Sequence, residues 1–180
     1  ESSAASDVYK RQICGTPVDV PVPKKRMFIT EVMIAFRAND AIMHSKSKAR
    51  MLTLLKIKNL ALVDQLLWEP SSGFICITGE TGAGKSVIIG AIRLALGERA
   101  DKTLIRSGEQ QCSVEAVFHL PESSPVHAIL NEHGVPPCED GNLIIKRLIS
   151  STANRQFLND SPCTLNLLRE AGACLVDMHG

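Results

Sequence analysis

Apolar and polar residues alternate in several stretches after residue 51, the pattern of strands with one buried face. Residues 52–58 and 61–68 form two such stretches, and they predict an antiparallel pair joined at Asn59 and Leu60. Further strands are predicted at 111–118, 142–149 and 155–158. The last two flank a polar turn and form a second predicted strand pair.

Two segments are typical of short helices that end at a glycine. Residues 87–96 are mostly apolar and stop at Gly97, and residues 125–131 form a helix that ends at His133 and Gly134. Glycine is favoured just beyond a helix because it adopts positive φ without steric cost. Both segments therefore have a defined end.

A third helix is predicted to begin at Ser161 and Pro162, since a hydroxyl cap followed by proline in the first turn is a common helix start. Gly172 lies near the expected end of this helix. The apolar residues that follow predict a last strand over 173–177. Asp177 would then stand at the end of a buried strand.

The most informative pattern is a strand, a glycine-rich loop and a helix in immediate succession. Residues 73–78 are a short apolar run bounded by glycine, as expected of a buried parallel strand. The octet 79–86 reads GETGAGKS, and the helix 87–96 follows directly. Glycine at the first and sixth positions, then lysine and a hydroxyl, is a complete phosphate-binding loop. The sequence therefore predicts a nucleoside triphosphate site.

Each residue type in the octet suits a phosphate ligand. Gly82 and Gly84 allow backbone conformations in which successive N–H groups converge on one anion. Lys85 would meet the β- and γ-phosphate oxygens, and the Ser86 hydroxyl would bind Mg²⁺. Lys85 is also the one catalytic candidate. The predicted phosphate-binding residues are Gly79, Glu80, Thr81, Gly82, Ala83, Gly84, Lys85 and Ser86.

Composition narrows the class of protein only modestly. The 180 residues are 44% hydrophobic, enough for one domain with its own core, and the net charge of +1 neither favours nor excludes nucleic acid. The six cysteines include no C-x-x-C pair and no histidine at zinc spacing, so we expect reduced thiols and no zinc site. We also expect no transmembrane segment and a cytoplasmic location.

The first fifty residues differ from the rest. They are rich in charged and small polar residues at both ends and contain one isolated apolar run, 27–36. Glu31 interrupts that run, which argues against a signal peptide. We expect residues 1–50 to be an upstream segment that is disordered, or at best forms a stray helix near 27–43. The folded domain is expected to begin at Met51.

Three motifs resemble the amino-terminal part of the RecN family, bacterial DNA-repair ATPases related to the structural-maintenance-of-chromosomes proteins. They lie at 55–63 (LKIKNLALV), at 79–86 with 94–101 (LALGERAD), and at 159–162 (NDSP) with 175–180 (LVDMHG). The resemblance covers residues 51–180. It implies an α/β P-loop NTPase fold: the amino-terminal lobe of an ABC-type ATPase head, with a mixed sheet and flanking helices.

The resemblance also implies a function. It implies ATP and Mg²⁺ as ligands, a second head of a homodimer as partner, and DNA bound through the full-length protein in recombinational double-strand-break repair. Such a protein would work in the cytoplasm at the nucleoid. The other catalytic motifs of the family would lie beyond Gly180, so we expect this fragment to hydrolyse almost no ATP alone.

An alternative stays open from the residues alone. Four apolar residues followed by Asp177 also fit a Walker B strand, so the chain would be a small free-standing P-loop kinase or GTPase. Outside the loop, Arg106 would face solvent, nucleotide or DNA. Lys146, Arg147 and Arg155 would form a basic strip for DNA phosphates on neighbouring strands.

Overall fold

The structure, a computed structural model, describes residues 32–33, 51–71, 76–77 and 83–176. Within these ranges the chain forms eight strands: β1 (Val32–Met33), β2 (Met51–Leu60), β3 (Val63–Trp68), β4 (Cys76–Ile77), β5 (Gln111–His119), β6 (Asn142–Ser150), β7 (Asn154–Leu158) and β8 (Ser161–Pro162). The helices are α1 (Ala83–Ala95), α2 (Pro125–Glu132) and α3 (Leu165–Ala173), with a 3-10 turn at Lys102–Leu104.

Six of the strands form one antiparallel sheet in the order β3-β2-β5-β6-β7-β8. Across its centre, Ile57 of β2 pairs with Val114 of β5, which in turn pairs with Arg147 of β6. Directly paired residues project to the same side of a sheet. These three side chains therefore share one face, and all three are buried.

Helix α1 covers this face and contacts β2, β5 and β6. Its apolar residues recur every three or four positions, which places them on one side of the helix. The buried members are Val87, Ile88, Ala91, Ile92, Leu94 and Ala95. Each fully buried Leu or Ile contributes about 1.5–3 kcal/mol relative to an exposed one, so this contact holds the helix firmly on the sheet.

The predicted strands 111–118, 142–149 and 155–158 are confirmed as β5, β6 and β7. The first hairpin turns two residues later than predicted, because β2 runs to Leu60, which pairs with Val63. The turn residues are Ala61 and Leu62. Ala61 has a positive φ of 51° and donates its N–H to the carbonyl of Leu104 at 2.7 Å. This long-range hydrogen bond is invisible to a local sequence pattern.

The prediction that Ser161 and Pro162 begin a helix is wrong. They form β8, which pairs with β7 through a turn whose two residues, Asn159 and Asp160, have φ of 46° and 61°. Two consecutive positive φ values give the hairpin turn that matches strand twist, and Asn and Asp tolerate it. The residue that caps the helix is Thr164, three residues after the predicted cap Ser161. Its side chain accepts a hydrogen bond from the Leu167 N–H at 3.2 Å.

The predicted last strand over 173–177 is also not observed in the described part. Ala173 is the last residue of α3, and the N–H groups of Leu175 and Val176 donate to the carbonyl of Gly172 at 3.0 and 3.4 Å. Their backbone therefore closes the helix end instead of joining the sheet. Asp177 lies outside the described residues.

Two positions of the upstream segment lie within the described residues. We expected disorder or a stray helix near 27–43, yet Val32–Met33 is a strand that pairs antiparallel with Cys76–Ile77. The strand predicted at 73–78 as parallel thus has an antiparallel partner. The remaining residues of 1–50 lie outside the described ranges.

Candidate functional site

The octet 79–86 continues directly into α1. The helix begins at Ala83, so Ala83, Gly84, Lys85 and Ser86 form its first turn. The strand β4, Cys76–Ile77, lies before the octet. The described strand β4 and helix α1 thus lie on either side of the glycine-rich stretch, as predicted. The first four octet residues, Gly79 to Gly82, lie outside the described residues.

Lys85 and Ser86 therefore stand at the amino-terminal end of a helix. The N–H groups of a first helical turn have no partner within the helix, and the helix dipole places positive charge there. Lys85 is half-buried and Ser86 is exposed. The arrangement combines backbone N–H groups of a first helical turn, an ammonium group and a hydroxyl at one helix end. It is suited to an anion accompanied by a cation that prefers oxygen ligands.

The opposite end of α1 is closed by a glycine turn. Gly97 has a φ of 94° and donates its N–H to Leu94 O at 3.1 Å, while Glu98 N–H donates to Arg93 O at 3.0 Å. These two hydrogen bonds make a Schellman motif. The predicted end of the helix at Gly97 is confirmed.

Arg147 is not part of a DNA-facing strip. Its side chain is buried against α1, where Nη1 donates to Leu94 O at 2.8 Å and to Glu98 O at 3.1 Å. Burial lowers the pKa of its guanidinium from the ordinary value. Neighbouring residues of a strand project to opposite faces, so Arg147 and Lys146 cannot line one surface. Lys146 instead pairs with Glu115 at 3.6 Å on the other face.

A second arginine reaches the same helix end from α3. Arg169 Nε donates to Gly97 O at 2.9 Å. Gly172, one turn further along α3, lies so close to Leu96 that an added β-carbon would stand 2.6 Å from its carbonyl oxygen. Thus β6 and α3 both meet the carboxyl end of the helix whose amino end carries Lys85.

The other polar residues lie apart from the octet. Arg106 pairs with Asp64 at 3.4 Å, with 40% and 71% of the two side chains exposed, which agrees with a solvated arginine. Arg155 is exposed. Cys112, Cys138 and Cys163 are free thiols. In the described ranges, no group of three or more His, Cys, Asp or Glu side chains is placed to hold a metal ion.

One open cavity of about 740 Å³ lies at the end of the sheet where Lys58, Cys112 and Ser150 meet. Its lining is polar, and Asn59 Nδ2 donates to Glu109 Oε2 across it at 2.9 Å. No octet residue lines this cavity. Over the described part of the chain, no helix is long and apolar enough to cross a membrane.

Comparison with known proteins identifies relatives of this arrangement. Residues 54–158 match the AAA domain family. DNA repair protein RecN of Vibrio cholerae is 39% identical over 131 residues, which are 72% of this chain and 23% of that protein. RecN of Bacillus subtilis is 37% identical over 132 residues, again 72% of this chain and 23% of the relative. The chain thus spans about a quarter of the length of these relatives.

Solved structures with a similar fold are ATPase heads. An SMC ATPase, from work on ATP-driven dimerization and DNA-stimulated activation, gives a TM-score of 0.54 at 21% identity over 68% of this chain and 78% of that chain. The Smc head domain of Pyrococcus furiosus bound to the ScpA C-terminal domain gives a TM-score of 0.53 at 20% identity. The match covers 69% of this chain and 33% of that chain. The recombination mediator protein RecF with ATPrS gives a TM-score of 0.52 at 14% identity, and the match covers 69% of this chain and 31% of that chain.

These likenesses confirm the predicted fold, the amino-terminal lobe of an ABC-type P-loop ATPase head. Such a fold implies nucleotide binding. The relatives do not favour the free-standing kinase or GTPase. Sequence reasoning did not identify the contacts that Arg147 and Arg169 make at the carboxyl end of α1 with Leu94 and Gly97, which are 53 and 72 residues away along the chain. The alternation of residues along β6 is the signal that indicates burial of Arg147, because it places this residue on the same face as Leu143, Ile145 and Ile149.

Proposed function

Since the chain belongs to the AAA domain family and matches the amino-terminal part of RecN, we propose that it forms the ATP-binding lobe of an ATPase acting in recombinational DNA repair. The observation that carries this proposal is the position of Lys85 and Ser86 in the first turn of α1, directly after the glycine-rich loop. A phosphate group bound there meets free N–H donors, a positive helix end and an ammonium group together.

We assign the roles of the octet accordingly. Gly79, Glu80, Thr81, Gly82, Ala83 and Gly84 supply the backbone that surrounds the β-phosphate. Lys85 contacts the β- and γ-phosphate oxygens and stabilises the charge that develops on them during phosphoryl transfer. Charge-assisted contacts of this kind are worth roughly 1.5–3 kcal/mol each.

Mg²⁺ fits the same helix end. It prefers oxygen ligands and keeps several waters, so one exposed hydroxyl at the edge of the phosphate site is a suitable protein ligand. The exposed Ser86 is the residue that would hold it. Mg²⁺ held by Ser86 would neutralise part of the negative charge on the phosphate oxygens.

The wider activity belongs to the longer protein. We propose that a second head completes the site, that the complete protein hydrolyses ATP, and that it acts on DNA in the cytoplasm at the nucleoid. Support comes from the names of the RecN relatives and from the SMC heads of the same fold, whose dimerization is ATP-driven.

Nucleotide titration tests the proposal. Lys85→Ala removes the ammonium group, and the affinity for ATP–Mg²⁺ should fall about tenfold or more. Lys102→Ala, which removes an exposed lysine from the 3-10 turn beyond α1, is the matched control and should bind as the unmodified chain does. Equal binding curves for Lys85→Ala and the unmodified chain would contradict the phosphate site.

A further inference from the structure

We propose that Arg147 is a positioning residue for the phosphate site: from strand β6 it holds the carboxyl end of α1 and thereby sets where Lys85 stands at the other end. This inference rests on the proposed function, because it concerns the same site. If it is correct, a residue in the centre of the sheet contributes to nucleotide affinity without contacting the nucleotide.

The contacts of Arg147 connect the sheet to one end of one helix. The same atom, Nη1, donates to Leu94 O in the last turn of α1 and to Glu98 O beyond the glycine turn. Only 1% of the residue is exposed, and its Nε finds no hydrogen-bond partner within the described part of the chain. Among the described residues, the negative partner of this buried cation is thus the partial charge on carbonyl oxygens at the helix end.

A buried cation held in this way resists displacement of the helix. If the end of α1 moved away from β6, the guanidinium would lose its acceptors while still excluded from water, which is costly. Arg169 cannot replace it, because it binds a different carbonyl, Gly97 O, from the α3 side. Arg147 therefore fixes the helix end relative to the sheet, and Arg169 fixes it relative to α3.

The geometry of a helix carries this restraint to the octet. With a rise of about 1.5 Å per residue, Lys85 lies about 14 Å along the axis from Leu94. A tilt of about 5° at the Leu94 end would move the Lys85 end by about 1 Å. Hydrogen bonds between an ammonium group and a phosphate oxygen are about 2.7–2.9 Å long, so a displacement of about 1 Å would weaken such a contact. Small changes at Arg147 should therefore be measurable as lost nucleotide affinity.

The experiment compares nucleotide affinity with thermal stability in the full 180-residue chain. Arg147→Met keeps the apolar stem and removes a buried charge together with its desolvation cost, while Leu94 O retains the hydrogen bond from Gly97 N–H. We expect the thermal midpoint to stay within about 3 °C while the affinity for ATP–Mg²⁺ falls roughly three- to tenfold. Arg155→Met, which changes an exposed arginine of β7, is the matched control and should alter neither quantity.

A double-mutant cycle separates positioning from a general structural effect. If Arg147 acts through Lys85, Arg147→Met should change the affinity less than about twofold in a Lys85→Ala background. An equal loss in both backgrounds, or unchanged binding by Arg147→Met in the presence of Lys85, would overturn the inference. Should Arg147→Met fail to fold, Arg147→Lys retains a donor for the carbonyls. It should then fold and show an intermediate loss, and full affinity in that variant would also overturn the inference.

Failure of the proposed function would look different. In that case Lys85→Ala would bind ATP as well as the unmodified chain, whatever residue stands at 147. A tenfold loss in Lys85→Ala together with no loss in Arg147→Met would leave the phosphate site in place and remove only the positioning role.

Discussion

Gly172 of α3 packs directly on the backbone of Leu96 at the end of α1, leaving no room for a side chain. An added β-carbon would lie 2.6 Å from the Leu96 carbonyl oxygen and 3.0 Å from its α-carbon. Because the obstacle is backbone, it cannot move aside by a change of rotamer. The two helices therefore approach as closely as they do only because residue 172 is glycine.

The first prediction follows from this contact. Gly172→Ala should destabilise the chain by roughly 1–3 kcal/mol through overpacking, which lowers the thermal midpoint by about 2–10 °C. Gly90→Ala is the matched control, because nothing lies within 4 Å of its added β-carbon and alanine is favoured in a helix. Calorimetry should show Gly90→Ala unchanged or more stable. A Gly172→Ala variant as stable as the control would show that the contact is looser than described.

Thr164 provides the second prediction, since its hydroxyl caps α3 by accepting from Leu167 N–H at 3.2 Å. Thr164→Ala should cost about 1 kcal/mol, because it leaves a donor of the first turn without that acceptor. Thr164→Ser keeps the hydroxyl and should retain most of the stability. Denaturant unfolding with equal midpoints for Ala and Ser would place the helix start elsewhere, for example at Ser161 as the sequence pattern suggested.

The third prediction concerns Mg²⁺ at Ser86. Ser86→Ala removes the hydroxyl proposed as metal ligand, so ATP affinity measured with Mg²⁺ should fall several-fold, whereas affinity measured in EDTA should change little. Ser86→Thr keeps an oxygen at the same place and should behave like the unmodified chain. A similar loss with and without Mg²⁺ would mean that Ser86 contacts phosphate or supports the helix instead.

The fourth prediction concerns residues 1–50. In the described structure they contribute only β1, which pairs with β4 in a two-stranded sheet separate from the six-stranded one. Deletion of 1–50 should therefore shift the thermal midpoint by less than about 2 °C, because no described core residue is lost. Val32→Pro in the full chain, which removes one backbone donor from β1, should likewise have little effect. A fall of more than about 5 °C in the deletion would show that this segment supports the folded lobe.

Much of the architecture follows from local patterns. The alternation in 111–118 and 142–149 predicted β5 and β6 because a half-buried strand requires it whatever its partner. The octet predicts that Lys85 and Ser86 lie at a helix start, because its glycines, lysine and serine belong to one continuous local structure. These features depend on residues close together in the chain, and the sequence alone was sufficient to predict them.

Contacts between distant segments were decided only by the tertiary structure. By residue type alone Arg147 is expected at the surface, but the register of β5 and β6 puts it on the face covered by α1. There, carbonyls 53 and 49 residues away accept its hydrogen bonds. Ser161 and Pro162 read as a helix start, but β7 is available to pair with them across a tight turn. In both cases local preference is worth about 1 kcal/mol or less, and pairing or burial against a distant partner outweighs it.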